Sequence, residues 1–96
     1  DHQPVGFYSG KQISFTKQKI KVNKNDMIYL FSDGYQDQFG GEKNKKFMIS
    51  KLKKLLIKIS NENVDIQLQE LKTEFELWKG DEDQIDDVCV MGVRII

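Results

Sequence analysis

The chain has 96 residues and a mass of 11.2 kDa, room for one domain or a piece of one, and its 39% hydrophobic residues, ten of them aromatic, exclude a disordered chain. Fifteen basic against fifteen acidic residues leave no net charge to attract a nucleic acid or an anionic membrane, and no apolar run approaches the ~20 residues of a membrane span. A single cysteine, Cys89, excludes an internal disulfide and a cysteine-based zinc cluster; with no export signal in view, a soluble, cytoplasmic protein is expected.

The charge is polarised, with a net +7 over residues 1–58 and −7 over residues 59–96. A start at Asp1 without an initiator Met suggests a segment cut from something larger. Ile13, Phe15, Ile20 and Val22 alternate with polar residues and predict strands interrupted at Lys17-Gln18. Asn23 to Asp26 is a turn by composition, and the apolar run Met27 to Phe31, too short for a helix, predicts a strand buried on both faces. Ser32-Asp33-Gly34 ends it, and Phe39 to Asn44 reads as a flexible loop with paired glycines.

From Lys45 the period lengthens. Met48, Leu52, Leu55, Leu56 and Ile59 form an apolar helical stripe with lysines opposite. Ser60-Asn61 supplies cap-type residues, Val64, Leu68, Leu71, Phe75 and Trp78 predict a second helix antiparallel to the first, and Gly80 is its C-cap. Asp81 to Asp87 is an acidic connection, and the β-branched stretch Val88 to Ile96 ends the chain as a strand. The expected fold is α+β, a largely antiparallel sheet covered on one face by an antiparallel helix pair.

Asp33 then lies just past one strand and Asp86-Asp87 just before another. If the two strands pair antiparallel, these carboxylates meet at one sheet edge, where strands ~5 Å apart allow a shared cation. Carboxylates without His or Cys suit Mg²⁺ or Mn²⁺ better than zinc, and Gly34 permits the sharp turn after Asp33. Ser-Asp-Gly is also among the commonest turn sequences, and an Asp pair before a strand is usually solvated, so spacing alone leaves a plain turn open.

The ordered set Asp26-Met27-Ile28-Tyr29-Leu30-Phe31-Ser32-Asp33-Gly34, Phe39-Gly40-Gly41, Trp78-Lys79-Gly80 and Gln84-Ile85-Asp86-Asp87-Val88 resembles the C-terminal half of a SpoIIE-like (RsbU-like) bacterial phosphatase of the PPM serine/threonine class, over nearly the whole chain. Gln3-Pro4-Val5-Gly6 looks like the Pro-Leu-Gly-type turn that the family places before these strands. The resemblance implies a sandwich with flanking helices and two Mn²⁺ or Mg²⁺ ions activating a water against phosphoserine or phosphothreonine. It makes Asp33 and Asp86 metal ligands, Asp87 and Asp37 second-sphere or accessory groups, and Gly34 the shaper of the ligand loop. Cys89 stands where Thr is usual.

The family's bridging Asp-Gly on an earlier strand has no counterpart upstream of Asp33. Residues 1–96 therefore look like the C-terminal part of a single phosphatase domain, inactive alone and prone to self-association through exposed sheet edges. A phosphorylated regulatory protein as substrate and sensory or receiver modules in the parent chain follow from the resemblance alone. The rival is a non-catalytic interaction module on the same scaffold. The lysines between Lys43 and Lys58 read as a solvated helix face, Trp78 and Phe75 as core, His2 as incidental, Cys89 as a buried strand residue and Asp81-Glu82-Asp83 as a charged loop.

Overall fold

The computed structural model describes residues 4–9 and 22–96. Strand β1 spans Val5–Ser9, β2 Met27–Phe31, β3 Phe39–Gly40, β4 Lys45–Lys46 and β5 Val90–Arg94; helix α1 spans Ile49–Ile59 and α2 Val64–Lys79. The main sheet has the order β1-β2-β5. Its centre is β2, antiparallel to β5 with Phe31 opposite Val90, and parallel to β1 with Val5 opposite Met27. The short β3–β4 pair is antiparallel. The α+β class is thus as expected, whereas the main sheet is mixed and not largely antiparallel, because β1 joins β2 in parallel; the matching ends of β2 and β5 place the Asp33 and Asp86-Asp87 segments at one edge.

Side chains alternate along β2. Met27, Tyr29 and Phe31 are buried, whereas Ile28 and Leu30 on the opposite face are half-buried, so the strand is not sealed on both faces as its continuous apolar run predicted. The buried face meets Leu52, Leu55, Leu56 and Ile59 of α1 and Leu71 and Phe75 of α2 in one cluster. Burying side chains of this size contributes roughly 1.5–3 kcal/mol each. The Lys51 ammonium near the start of α1 sits 3.9 Å from the centroid of the Trp78 ring near the end of α2, as an antiparallel helix pair requires.

Several boundaries differ from expectation. Val5 and Gly6 belong to β1, where a turn was read; the parallel partner supplies hydrogen bonds that a five-residue stretch does not announce in its own pattern. The strands expected around Ile13, Phe15 and Ile20 lie outside the described residues, as does His2; Val22 is described and lies in no strand. Phe39 to Asn44 is a bonded hairpin, with Gly41 and Asn44 at positive φ. Met48 is no part of the α1 stripe: it precedes the helix at φ 81° and is exposed. Lys43, Lys45 and Lys46 accordingly stand on or beside the hairpin, whereas Lys51, Lys53, Lys54 and Lys58 form the exposed face of α1.

In α2 the expected stripe is rotated. Val64 and Leu68 are exposed along a groove beside Val90 and Met91, and Gln67 is buried instead. The reason is a polar network: the Tyr29 hydroxyl donates to Gln67 Oε1, and Gln67 Nε2 donates to the Glu62 carbonyl at 2.8 Å. Arg94 Nη2 donates to the Ser60 and Glu62 carbonyls, both at 2.8 Å, pairing backbone acceptors of the α1–α2 turn. The cap of α2 is Asn63, whose Oδ1 accepts from Ile66 N at 2.9 Å, rather than Ser60-Asn61. Gly80 at φ 54° closes the helix as predicted. Cys89 precedes β5 and is exposed, so it is not a buried strand residue. No described helix is long and apolar enough to cross a membrane.

Candidate functional site

Beyond β2 the chain turns once, with Asp37 N donating to the Asp33 carbonyl at 3.0 Å. Three bonds from Ser32 tie this turn to the segment before β5. Ser32 N donates to the Cys89 carbonyl at 3.0 Å, Ser32 Oγ donates to the Asp87 carbonyl at 3.3 Å, and Cys89 N donates to Ser32 Oγ at 3.1 Å. Gly34 is buried against the same segment: a Cβ there would lie 2.0 Å from the Asp87 carbonyl oxygen and 3.2 Å from Val88 Cα. Only glycine lets the two backbones approach this closely.

The loops are therefore brought together as the strand argument required, and the side chains are placed as follows. Asp33 is half-buried, and one of its carboxylate oxygens, Oδ1, accepts from Gln36 Nε2 at 3.1 Å. Asp37 is half-buried, with Oδ1 3.7 Å from Lys46 Nζ of β4. Asp86 and Asp87 are exposed; Asp86 Oδ1 accepts from Asp87 N at 2.8 Å, and Gln84 Nε2 donates to the Asp86 carbonyl at 3.0 Å. Among the described residues, no three His, Cys, Asp or Glu side chains gather closely enough to hold one ion.

Donor chemistry nevertheless fits a hard divalent cation: carboxylates alone, on two loops in backbone contact, with exposed Cys89 as the nearest soft donor in sequence. Sequence reasoning missed Gln36 and Ser32. Ser32 was readable only as a turn residue, and Gln36 could have been found from its place three residues after Asp33 in a one-turn bend.

Behind the site, Tyr35 anchors the turn to α2 by donating from its hydroxyl to the Leu71 carbonyl at 2.7 Å. Burial first, and the charge of Glu74 second, push this hydroxyl far above the ordinary tyrosine range, so it remains a donor. Its ring packs between Phe47 and Phe75 at centroid distances of 5.2 and 5.0 Å. Gly40 lies under Trp78, whose indole Nε1 donates to the Gln38 carbonyl at 2.9 Å, so the hairpin is fixed to the end of α2.

The profile of one family, described as Stage II sporulation protein E (SpoIIE), matches residues 1–96. The chain belongs to the SpoIIE family. Among solved structures, the SiaA-PP2C domain of Pseudomonas aeruginosa superposes with a TM-score of 0.71 at 24% identity, over 73% of this chain and 29% of that one. The likeness establishes a shared PP2C-type fold, and the chain spans less than a third of that structure's length. No curated protein sequence matches the chain. The chain is thus SpoIIE-family sequence on a PP2C-type fold.

Proposed function

We propose that residues 1–96 form the C-terminal part of a metal-dependent protein serine/threonine phosphatase domain that acts on a phosphorylated regulatory protein in bacterial signalling. The observation that carries this reading is the approach of Gly34 to Asp87 and Val88, which sets the Asp33 turn against the Asp86-Asp87 segment. In this reading Asp33 and Asp86 ligate Mn²⁺ or Mg²⁺, Asp37 and Asp87 serve as accessory or second-sphere groups, and Gly34 shapes the ligand loop. The bound cation supplies positive charge against the phosphate oxygens and acidifies a water for attack on phosphorus.

The chain's own part is positional. Ser32 locks the two loops in register, Gln36 holds one oxygen of Asp33, and Asp86 Oδ1 is oriented by the Asp87 amide. Because fewer than three acidic side chains gather among the described residues, the domain needs further ligands from the parent protein, and the segment alone hydrolyses little. Sensory or receiver modules in that parent, a cytoplasmic setting and self-association of the isolated segment belong to the same proposal. The incomplete donor set equally favours a second reading, a non-catalytic interaction module.

Hydrolysis of p-nitrophenyl phosphate by the whole parent protein with and without Mn²⁺, beside its Asp33→Asn and Asp86→Ala variants, separates the two. The phosphatase reading predicts Mn²⁺-dependent turnover that falls at least 100-fold in each variant, the scale on which catalytic groups act. A folded, Mn²⁺-loaded parent without turnover would leave the interaction module.

A further inference from the structure

We infer that the outer face of the α1–α2 pair is an interaction surface for a second copy of this chain, with α1 of each copy lying on α2 of the other. This surface is independent of the metal-dependent reading above. Between the helices runs a groove of about 360 Å³ lined by Phe47, Leu55, Leu77 and Trp78, with Lys51 and Lys54 on one lip and Glu74 on the other. Leu77 is 73% exposed at its edge, and Ile66, about three turns earlier on the same face of α2, is 42% exposed. Single exposed aliphatic residues are ordinary on a protein surface. Here a protruding leucine stands beside an apolar groove on one face, which is what a self-complementary two-fold contact requires.

Charge selects the arrangement. Helix α1 carries four lysines and no acid, whereas α2 carries four acids and two lysines. Lys51 and Lys53 rest over rings of their own chain, 3.9 Å from the Trp78 centroid and 5.5 Å from that of Phe7. Lys54 and Lys58 stand one turn apart on the exposed side of α1; Glu70, exposed, and Glu74, half-buried, stand one turn apart on α2. A two-fold axis across the helices would set α1 on α1 and lysine on lysine. An axis parallel to them sets α1 on the second copy's α2 at the same height. Because the helices are antiparallel and Lys54 and Glu74 line one groove, Lys54 then meets the second copy's Glu74, and Lys58 its Glu70, each twice by symmetry. Leu77 enters the second copy's groove between these pairs. Helices of ~16 and ~24 Å lying ~8–10 Å apart give a face at the small end of specific interfaces, so the contact is reversible and salt-sensitive.

Two experiments on the whole parent protein test this. In a cysteine-free background, a chain with Lys54→Cys mixed with a chain with Glu74→Cys should be joined by a short bismaleimide, whereas Lys54→Cys alone should give little joined product. Chains with Lys54→Glu and Lys58→Glu, or with Glu70→Lys and Glu74→Lys, should each show association weakened about 10-fold or more in low-salt sedimentation, since like charges then face each other. An equimolar mixture of the two should regain it, because every contact is again between opposite charges. Lys54→Cys joining to itself as readily as to Glu74→Cys would overturn the arrangement, as would charge-reversed chains that associate like the unsubstituted protein or a mixture that stays apart. A parent protein without self-association at low salt would overturn the inference and leave the groove to an acidic segment of another protein.

Discussion

Replacing Gly34 by alanine puts a methyl carbon 2.0 Å from the Asp87 carbonyl oxygen and 2.7 Å from its carbon, where ordinary contact begins at 3.4 Å. Both atoms are backbone, so no side chain can swing aside, and the loops must part by about 1.4 Å. Such a shift carries the three Ser32 bonds, now 3.0, 3.1 and 3.3 Å, beyond hydrogen-bonding distance. At ~0.5–1.5 kcal/mol each, the loss is about 2–4 kcal/mol, and the site loses its register in the same step. For a protein of ~150–250 residues this lowers the melting temperature by about 5–15 °C. Gly80→Ala is the comparison, since no atom lies within 4 Å of its Cβ position and its cost, about 1–3 kcal/mol, is the backbone strain of φ 54° and ψ −124° alone, with no effect on Mn²⁺ affinity expected. Circular-dichroism melting of the two variants in the parent protein, followed by Mn²⁺ titration, reads both effects. Gly34→Ala within ~0.5 kcal/mol of the unsubstituted protein, with Mn²⁺ affinity intact, would refute the close approach of the loops.

Three other perturbations test the supports of the site. Tyr29→Phe strips Gln67 Oε1 of its buried donor and should cost about 1–3 kcal/mol in urea unfolding. Asn63→Ala removes the α2 cap bond to Ile66 N and should cost ~1 kcal/mol by the same assay. Burial raises Tyr29 to about 12, against a smaller opposing pull from Arg94, and raises Tyr35 further still. Both hydroxyls ionise near pH 10 in the unfolded chain, so above that pH the unfolded state binds fewer protons and stability falls. Urea midpoints should therefore hold steady below pH 10 and decline between pH 10 and 12, by up to ~1.4 kcal/mol per pH unit for each tyrosine. A flat profile over that interval would contradict the burial of both hydroxyls.

Period and punctuation carried most of the fold. The α1 stripe from Leu52 to Ile59, the β2 run from Met27 to Phe31 and the Gly80 cap are local patterns with local causes, and each stands where the sequence placed it. What escaped depends on partners distant in sequence. Val5 to Ser9 is a strand because β2 lies beside it, and Gln67 is buried because Tyr29 and the carbonyls of the α1–α2 turn receive it. Val64 and Leu68 keep the helical period yet face a groove, since periodicity gives a face and not what covers it. At the candidate site, the approach of the Asp33 turn to the Asp86-Asp87 segment was legible from the strand ends. The Gln36 bond to Asp33 was not, because it rests on a side-chain amide meeting a carboxylate across one turn.

The most direct test of the account is where Mn²⁺ binds in a crystal of the parent protein, read from anomalous scattering at the manganese edge. The account predicts an ion with carboxylate oxygens of Asp33 and Asp86 at about 2.1 Å, in the cleft between the Ser32–Asp37 turn and the segment before β5. An ion bound elsewhere, or a cleft without manganese at saturating concentration, would contradict it.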